Sequence, residues 1–447
     1  MITETNKGLE SNGNCQNILK NKTENRPLSF AVFGDVCFAK SPKKPECRGN
    51  SYVICIDGRC AGVFDQIPEK YKGIEVIDLK GMLITPGFVD LHLHAPQYAY
   101  RGLGMDLELL EWLDTITFPQ EAKYADEEYA RKAYGLFVED LRKSPTTRAN
   151  IFATIHKKAT LELMRQLEEA GMAGYVGKVN MDRNSPDSYR ETADESVRTT
   201  LEWLDECRGF EHIKPIITPR FVPSCTDGLM KELGRIASER SLPVQSHLSE
   251  NISEVEWVRE LAPDSKGYAD AYDRFGLFGS AGSCVMAHCI YMRDDEIGLM
   301  KERGVFVAHS PQSNMNIRSG IAPMRRFIED GVKCGLASDV AGGSSINMFK
   351  AVTDAIQVSK LYWRLIDESR RALTFPEAFY LATKGGGEFF GKVGSFEEGY
   401  EFDAIAIDDS MAKTNLELNI AQRLERTMYL GHAGFIKAKF VAGRRLF

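Results

Sequence analysis

The spacing of apolar positions divides the 447-residue chain into two textures. From Leu28 to about Met82, short β-rich runs recur at Ser29 to Val36, Ser51 to Ile56, Arg59 to Phe64 and Ile74 to Leu79. Asp57-Gly58, between the second and third runs, is a hairpin-turn signal. The same texture returns at Asp403 to Ile407 and at Phe435 to Phe447, where Gly443 breaks the final run. Between these ends lie eight short apolar runs: Phe88 to His92, Arg148 to Ile155, Ala173 to Val179, Lys214 to Phe221, Pro243 to Leu248, Cys284 to His288, Val305 to His309 and Cys334 to Asp339. Helical stretches such as Lys158 to Ala170, Asp194 to Cys207 and Asp227 to Glu239 alternate with them. Eight β/α units predict an α/β fold, a closed (β/α)8 TIM barrel rather than an open doubly wound sheet. The β segments at the two chain ends predict one small β-sandwich domain. The expected division is a flexible lead-in over 1–27, a composite β-sandwich domain from 28–85 and 391–447, and a barrel over 86–390.

Composition narrows the function. Hydrophobic residues at 43% and charged residues at 27% describe an ordinary globular protein. The balance of 56 basic and 63 acidic residues, a net charge of −7, argues against nucleic acid or an anionic membrane as the main partner. No apolar stretch approaches the roughly 20 residues that span a bilayer, and the first residues lack the apolar core of an export signal. Ten cysteines without a C-x-x-C pair read as reduced thiols in a cytoplasmic protein. Neither a dinucleotide fingerprint nor a phosphate-binding loop is present.

The candidate chemistry falls at strand ends, where barrel enzymes keep their working groups. His92 and His94 share one face of the first strand, because residues two apart on a strand point the same way. Arg220 and Phe221 end the fourth, His247 the fifth, His288 the sixth, His309 the seventh and Asp339 the eighth, with Glu250 three residues past His247. Three imidazoles and a carboxylate suit a borderline divalent ion, zinc or alternatively ferrous iron. His92, His94, His247 and Asp339 are therefore the expected metal ligands, one ion per subunit. Several bland readings stand beside this one. Glu250 at the start of a helix serves equally as a helix cap, Phe221 as core, and His156 and His309 as residues that orient ligands. His212 and His432 read as peripheral.

With these residues on the page, the chain resembles the amidohydrolase superfamily and, within it, the guanine deaminase family. The resemblance rests on Pro86-Gly87-Phe88-Val89-Asp90-Leu91-His92-Leu93-His94 and His94-Ala95-Pro96-Gln97-Tyr98. It extends through Leu110-Glu111-Trp112-Leu113, Thr117-Phe118-Pro119, Phe152-Ala153-Thr154-Ile155-His156 and Gly177-Lys178-Val179-Asn180-Met181-Asp182. Thr218-Pro219-Arg220-Phe221-Val222-Pro223, Gln245-Ser246-His247-Leu248-Ser249-Glu250 and Asp339-Val340-Ala341-Gly342-Gly343 complete it. It implies metal-dependent hydrolysis of guanine to xanthine and ammonia by a homodimer. In that chemistry Asp339 takes a proton from water, Glu250 protonates a ring nitrogen, and His288 hydrogen-bonds the developing oxyanion. Gln97, Arg220 and Phe221 are the expected substrate contacts, with His94, His247, Glu250 and Asp339 also facing the base. The residues from Ala99 to Thr117 are long enough to cover the barrel mouth.

Rival readings follow from the same motifs. A deaminase of another aminated ring (8-oxoguanine, cytosine, a triazine or an adenosine derivative) differs only at the Gln97, Arg220 and Phe221 set. A two-metal cyclic-amide hydrolase needs a carboxylated lysine, for which Lys178 is the candidate and Lys214 lies at the wrong end of its strand. A non-catalytic scaffold predicts a missing ligand, and none is missing.

Overall fold

The computed structural model describes residues 29–447 except 281, so the expected lead-in over 1–27 lies outside the described residues. Four strands come first: β1 (Phe30–Phe38), β2 (Glu46–Ile56), β3 (Arg59–Phe64) and β4 (Val76–Pro86). The β2–β3 hairpin turns on Asp57 and Gly58, both left-handed at φ 48° and 77°, the backbone that an Asp-Gly turn supplies most cheaply. Gly87 then carries the chain from this sheet into the next layer. A Cβ there would lie 2.1 Å from Thr147 Oγ1, so only glycine fits.

Ten parallel strands or fragments follow: β5 (Phe88–His94), β6 (Thr146–Phe152), β7 (Ala173–Gly177), β8 (Val179–Asn180), β9 (Ile213–Pro215), β10 (Thr218–Pro219), β11 (Val244–Leu248), β12 (Cys284–His288), β13 (Phe306–His309) and β14 (Lys333–Leu336). β5 is buried along its whole length, as a parallel strand covered on both faces must be. The strands form two parallel sheets, β5-β6-β7-β9 and β11-β12-β13-β14, with β8 paired to β10. The third and fourth expected strands are thus each split, by Lys178 and by Ile216-Ile217. Backbone bonds link the two arcs on both sides. Ile217 N–H donates to Pro243 O (2.9 Å) and Gln245 N–H to Ile217 O (3.0 Å) on one side; on the other, Asp339 N–H donates to His92 O (2.9 Å) and His94 N–H to Val340 O (2.8 Å). The arrangement is an α/β fold of the barrel type.

Intervening helices occupy Lys157–Glu169, Ala193–Glu206 and Asp227–Arg240, within a residue of expectation at every end. Thr192 and Thr226 cap the latter two by accepting from Glu195 N–H and Leu229 N–H. The chain returns through β15 (Ala404–Ile407), β16 (Ile436–Val441) and β17 (Arg444–Arg445). These join the opening strands in one seven-stranded sheet, β17-β16-β15-β4-β1-β2-β3, where a two-layered sandwich was expected. Union of the two chain ends is as expected; the strands lie in a single sheet because β15 pairs antiparallel to β4 edge to edge. One face of it buries Phe30, Phe402 and Phe440 in mutual ring contact. No helix among the described residues is long and apolar enough to cross a membrane.

Two buried basic side chains, Arg148 and Lys439, fasten this sheet to the parallel strands. Arg148 on β6 donates from Nε to Asp403 Oδ2 (2.6 Å) and from Nη2 to Asp403 Oδ1 (3.0 Å) and Glu401 Oε2 (2.5 Å). Lys439 on β16 donates to the carbonyls of Leu141, Arg142 and Ser144, where a long helix (Glu127–Lys143) ends. Removing one partner of a buried pair strands the other charge. Arg148→Met is therefore expected to lower stability by about 3 kcal/mol, read as a shifted midpoint in urea unfolding followed by circular dichroism.

Candidate active site

The C-terminal ends of the parallel strands bring four histidines and an aspartate into one buried cluster. His92 and His94 lie on β5, His247 on β11 and His288 at the end of β12. Asp339 sits three residues beyond the end of β14 rather than on it. Its left-handed backbone (φ 45°) turns the chain back under the cluster, and His288 (φ 72°), Cys289 (φ 51°) and Ser249 (φ 50°) share that strained conformation. Strain of this kind collects at sites that must aim side chains against backbone preference. Asp90 stiffens the floor: its Oδ1 accepts from His92 N–H (3.3 Å) and Ser338 N–H (3.0 Å), and burial pushes its carboxyl up to about 6.

The donor atoms are close enough to share one ion. His94 Nε2 is 3.2 Å from His247 Nε2, and Asp339 Oδ1 is 3.1 Å from His92 Nε2 and 3.5 Å from His94 Nε2. His247 Nδ1 bonds Arg220 O at 2.6 Å, which fixes the proton on Nδ1 and leaves the Nε2 lone pair facing the cluster. His92 Nε2 is buried with no hydrogen-bond partner. Burial, then the neighbouring imidazoles, hold His94 and His247 well below the usual histidine range, so both present lone pairs. Burial opposes ionisation of Asp339, yet His92 and His288 bring its carboxyl below its ordinary value. A buried set of three imidazoles and one carboxylate, with their donor atoms converging, fits a divalent cation.

Around the cluster lies a pocket of about 410 Å³, part of it open to solvent. Leu109, Trp112, Leu113 and Phe221 form its apolar wall, so the segment expected to cover the mouth does contribute to it. His288 stands between two carboxylates, 3.3 Å from Glu250 Oε2 and 3.6 Å from Asp339 Oδ2, while its Nδ1 pairs with Asn314 Oδ1 (2.8 Å). Glu250 is not a helix cap. Asn251 caps the helix Ile252–Leu261 and Glu254 closes the capping box, which frees the Glu250 carboxyl to accept from Ser319 Oγ (3.0 Å) and to face the cavity. Burial, with Glu254 and Asp339 adding to it, raises that carboxyl well above the usual glutamate value.

The other end of the cavity is a polar edge. Gln97 donates from Nε2 to Glu121 Oε1 (2.8 Å) and accepts at Oε1 from Ala341 N–H (3.1 Å). Arg220 donates from Nη1 to Glu121 Oε2 (2.6 Å) and from Nη2 to Glu121 Oε1 (3.3 Å), and lies over the Phe118 ring. Glu121, fully buried, is the residue that sequence reasoning missed, as were Asn314, Ser313 and Ser319. Its only signal was adjacency to Thr117-Phe118-Pro119. His156 and His309 stand outside the cluster as neutral imidazoles, pushed by burial to about 4 and about 3. His212 and His432 lie away from the cavity lining, in keeping with a peripheral place. Lys178, the candidate for a two-metal bridge, instead donates to Glu191 (2.7 Å) and Val179 O.

Such a site, a His-x-His pair on β5 with a third histidine on β11 and an aspartate just beyond β14, defines a metal-dependent hydrolase. The chain belongs to the amidohydrolase family, whose pattern it matches over residues 83–446. Within that family it is similar to the guanine deaminase of Homo sapiens, 39% identical over 392 residues, 84% of this chain and 86% of that protein. The guanine deaminase of Dictyostelium discoideum is 37% identical over 380 residues, 83% of this chain and 84% of that one. A solved structure of guanine deaminase from C. acetobutylicum with bound guanine in the active site superposes with a TM-score of 0.91 at 45% identity, covering 94% of this chain and all of that one.

Stripping divalent ions with a chelator is expected to lower the thermal midpoint, and restoring zinc to recover it. Saturation to about 1,000 times the dissociation constant contributes about 4 kcal/mol. The same zinc addition should leave His247→Ala and Asp339→Ala nearly unmoved in differential scanning fluorimetry.

Proposed function

We propose that this chain catalyses the hydrolytic deamination of guanine to xanthine and ammonia, with His92, His94, His247 and Asp339 holding one divalent ion, zinc or alternatively ferrous iron. The observation that carries the reading is the placement of Gln97 and Arg220 at one end of the cavity and the Glu250–His288–Asp339 group at the other. Its support from outside the chain is the likeness to guanine deaminases, one of them with guanine bound. A divalent ion in this set of ligands would lower the pKa of water towards about 7 and so provide hydroxide at neutral pH.

The residues divide the work by where they stand. Gln97 reads the lactam edge of the base, since its amide both donates and accepts. The Arg220 fork suits a carbonyl oxygen and a ring nitrogen. Phe221 packs on the ring face, and His94 and His247 bound the cavity beneath it. Asp339 accepts the proton of the attacking water. Glu250, kept protonated by burial, gives its proton to the ring nitrogen beside the aminated carbon as the water oxygen bonds to that carbon. His288 donates to the oxygen of the tetrahedral adduct. Asp339 returns its proton to the amine, the C–N bond breaks to release ammonia, and the adduct's hydroxyl proton passes to Glu250, which restores the acid and leaves the ring carbonyl of xanthine.

The two parallel sheets close as one (β/α)8 barrel over 86–390, with the sheet from 28–85 and 391–447 as the second domain. A homodimer and a cytoplasmic setting complete the reading; the second is supported by ten cysteines that include no C-x-x-C pair.

An assay of ammonia release from guanine, 8-oxoguanine, adenine and cytosine on metal-loaded protein tests the substrate. Guanine is expected to be turned over fastest, and faster turnover of another base would overturn the assignment. Because Glu250 must begin protonated, kcat/KM is expected to fall as pH rises through its raised pKa. Glu250→Gln should lower kcat by about 10²- to 10⁴-fold and flatten that alkaline limb in a stopped pH–rate series.

A further inference from the structure

Glu121 is not among the residues that line the cavity, yet it binds both of the cavity's polar readers at once. Its carboxylate accepts from Gln97 Nε2 at 2.8 Å and from both Arg220 terminal nitrogens, at 2.6 and 3.3 Å. Two consequences follow from counting donors and acceptors. Gln97 is locked in one amide orientation, because its NH₂ faces Glu121 while its oxygen takes Ala341 N–H. One N–H and one lone pair then remain for a ligand, the pattern complementary to a lactam edge. Arg220 keeps a charge, but that charge is balanced within the wall.

We propose that Glu121 is a positioning and specificity-determining residue: it orients Gln97 and neutralises Arg220, so that the cavity accepts a neutral lactam base and discriminates against the ring's anionic form. The inference rests on the guanine reading above. The groups that face Arg220 support it. Tyr100 and Tyr189 are buried phenols held well above their usual range, so they are neutral. Around Glu121 itself stand His156, Tyr124 and Tyr134, uncharged for the same reason, burial. The carboxylate bonded to Arg220 is thus what cancels its charge. Arg220 is 2% exposed and Glu121 0%, so solvent does little to screen either.

Xanthine, with an N–H between two carbonyls, is the more acidic of the two bases and supplies the anion as pH rises. With Glu121 in place its inhibition should weaken as it ionises. In Glu121→Gln the uncompensated guanidinium should instead bind the anion, so xanthine inhibition should strengthen with pH by at least about tenfold across its ionisation. Guanine kcat/KM should fall on the order of 100-fold, mainly through KM, since Gln97 is no longer held. The double variant Glu121→Gln/Arg220→Met removes both charges and guards against a simple failure to fold. It should lose the pH-strengthened inhibition while keeping metal content and thermal midpoint near those of the original chain. If Glu121→Gln keeps the original pH dependence of xanthine inhibition and the original KM for guanine, the role assigned to Glu121 is wrong. If the unaltered, metal-loaded protein releases no ammonia from guanine, it is the guanine reading that has failed.

Discussion

His94 Nε2 and His247 Nε2 lie 3.2 Å apart in a buried site, with Asp339 Oδ1 and His92 Nε2, themselves 3.1 Å apart, beside them. In a low-dielectric setting, lone pairs brought this close repel unless a cation or a proton sits between them. A proton could bridge one pair of nitrogens but not three imidazoles and a carboxylate together, whereas a divalent ion satisfies all four. The requirement for that ion explains the rest of the local design. It explains why His247 spends its other nitrogen on the Arg220 carbonyl, why Asp90 is buried beneath the pair, and why the backbone at His288 and Asp339 accepts left-handed strain.

The fold supplies stiffness in proportion. The proposed ligands come from β5, β11 and the turn after β14, so their spacing is set by strand pairing and by the bonds from Asp339 N–H to His92 O and from His94 N–H to Val340 O. The recognition end is built differently. Gln97 follows β5 in a helical turn and Arg220 follows β10, while Glu121 arrives from a short helix (Phe118–Glu121) after the segment that covers the cavity. Chemistry is thus placed on the sheets and selectivity on the connections, the division that lets one barrel serve many substrates.

The histidine–aspartate cluster was legible because a strand's period of two makes His92-Leu93-His94 a same-face pair and because strand ends can be counted along the chain. The hairpin at Asp57-Gly58 and the three helix boundaries were legible for equally local reasons. What escaped depends on contacts between distant segments. Glu121 reads as one more acidic residue on a short helix, and nothing local says that it meets Arg220, ninety-nine residues away. Glu250 and Asn251 are both plausible caps until Glu254 is seen to complete the box with Asn251. Whether the terminal strands make one sheet or two is decided by β15 against β4, a pairing that no local pattern encodes. Lys178 looked available because its partner Glu191 lies beyond the strand.

Anomalous diffraction at the zinc edge from crystals of zinc-loaded protein tests the central claim most directly. One peak per chain is expected, with His92 Nε2, His94 Nε2, His247 Nε2 and an Asp339 oxygen each at about 2.0–2.2 Å. Two peaks bridged through Lys178, or a single peak whose ligands exclude Asp339, would contradict the account.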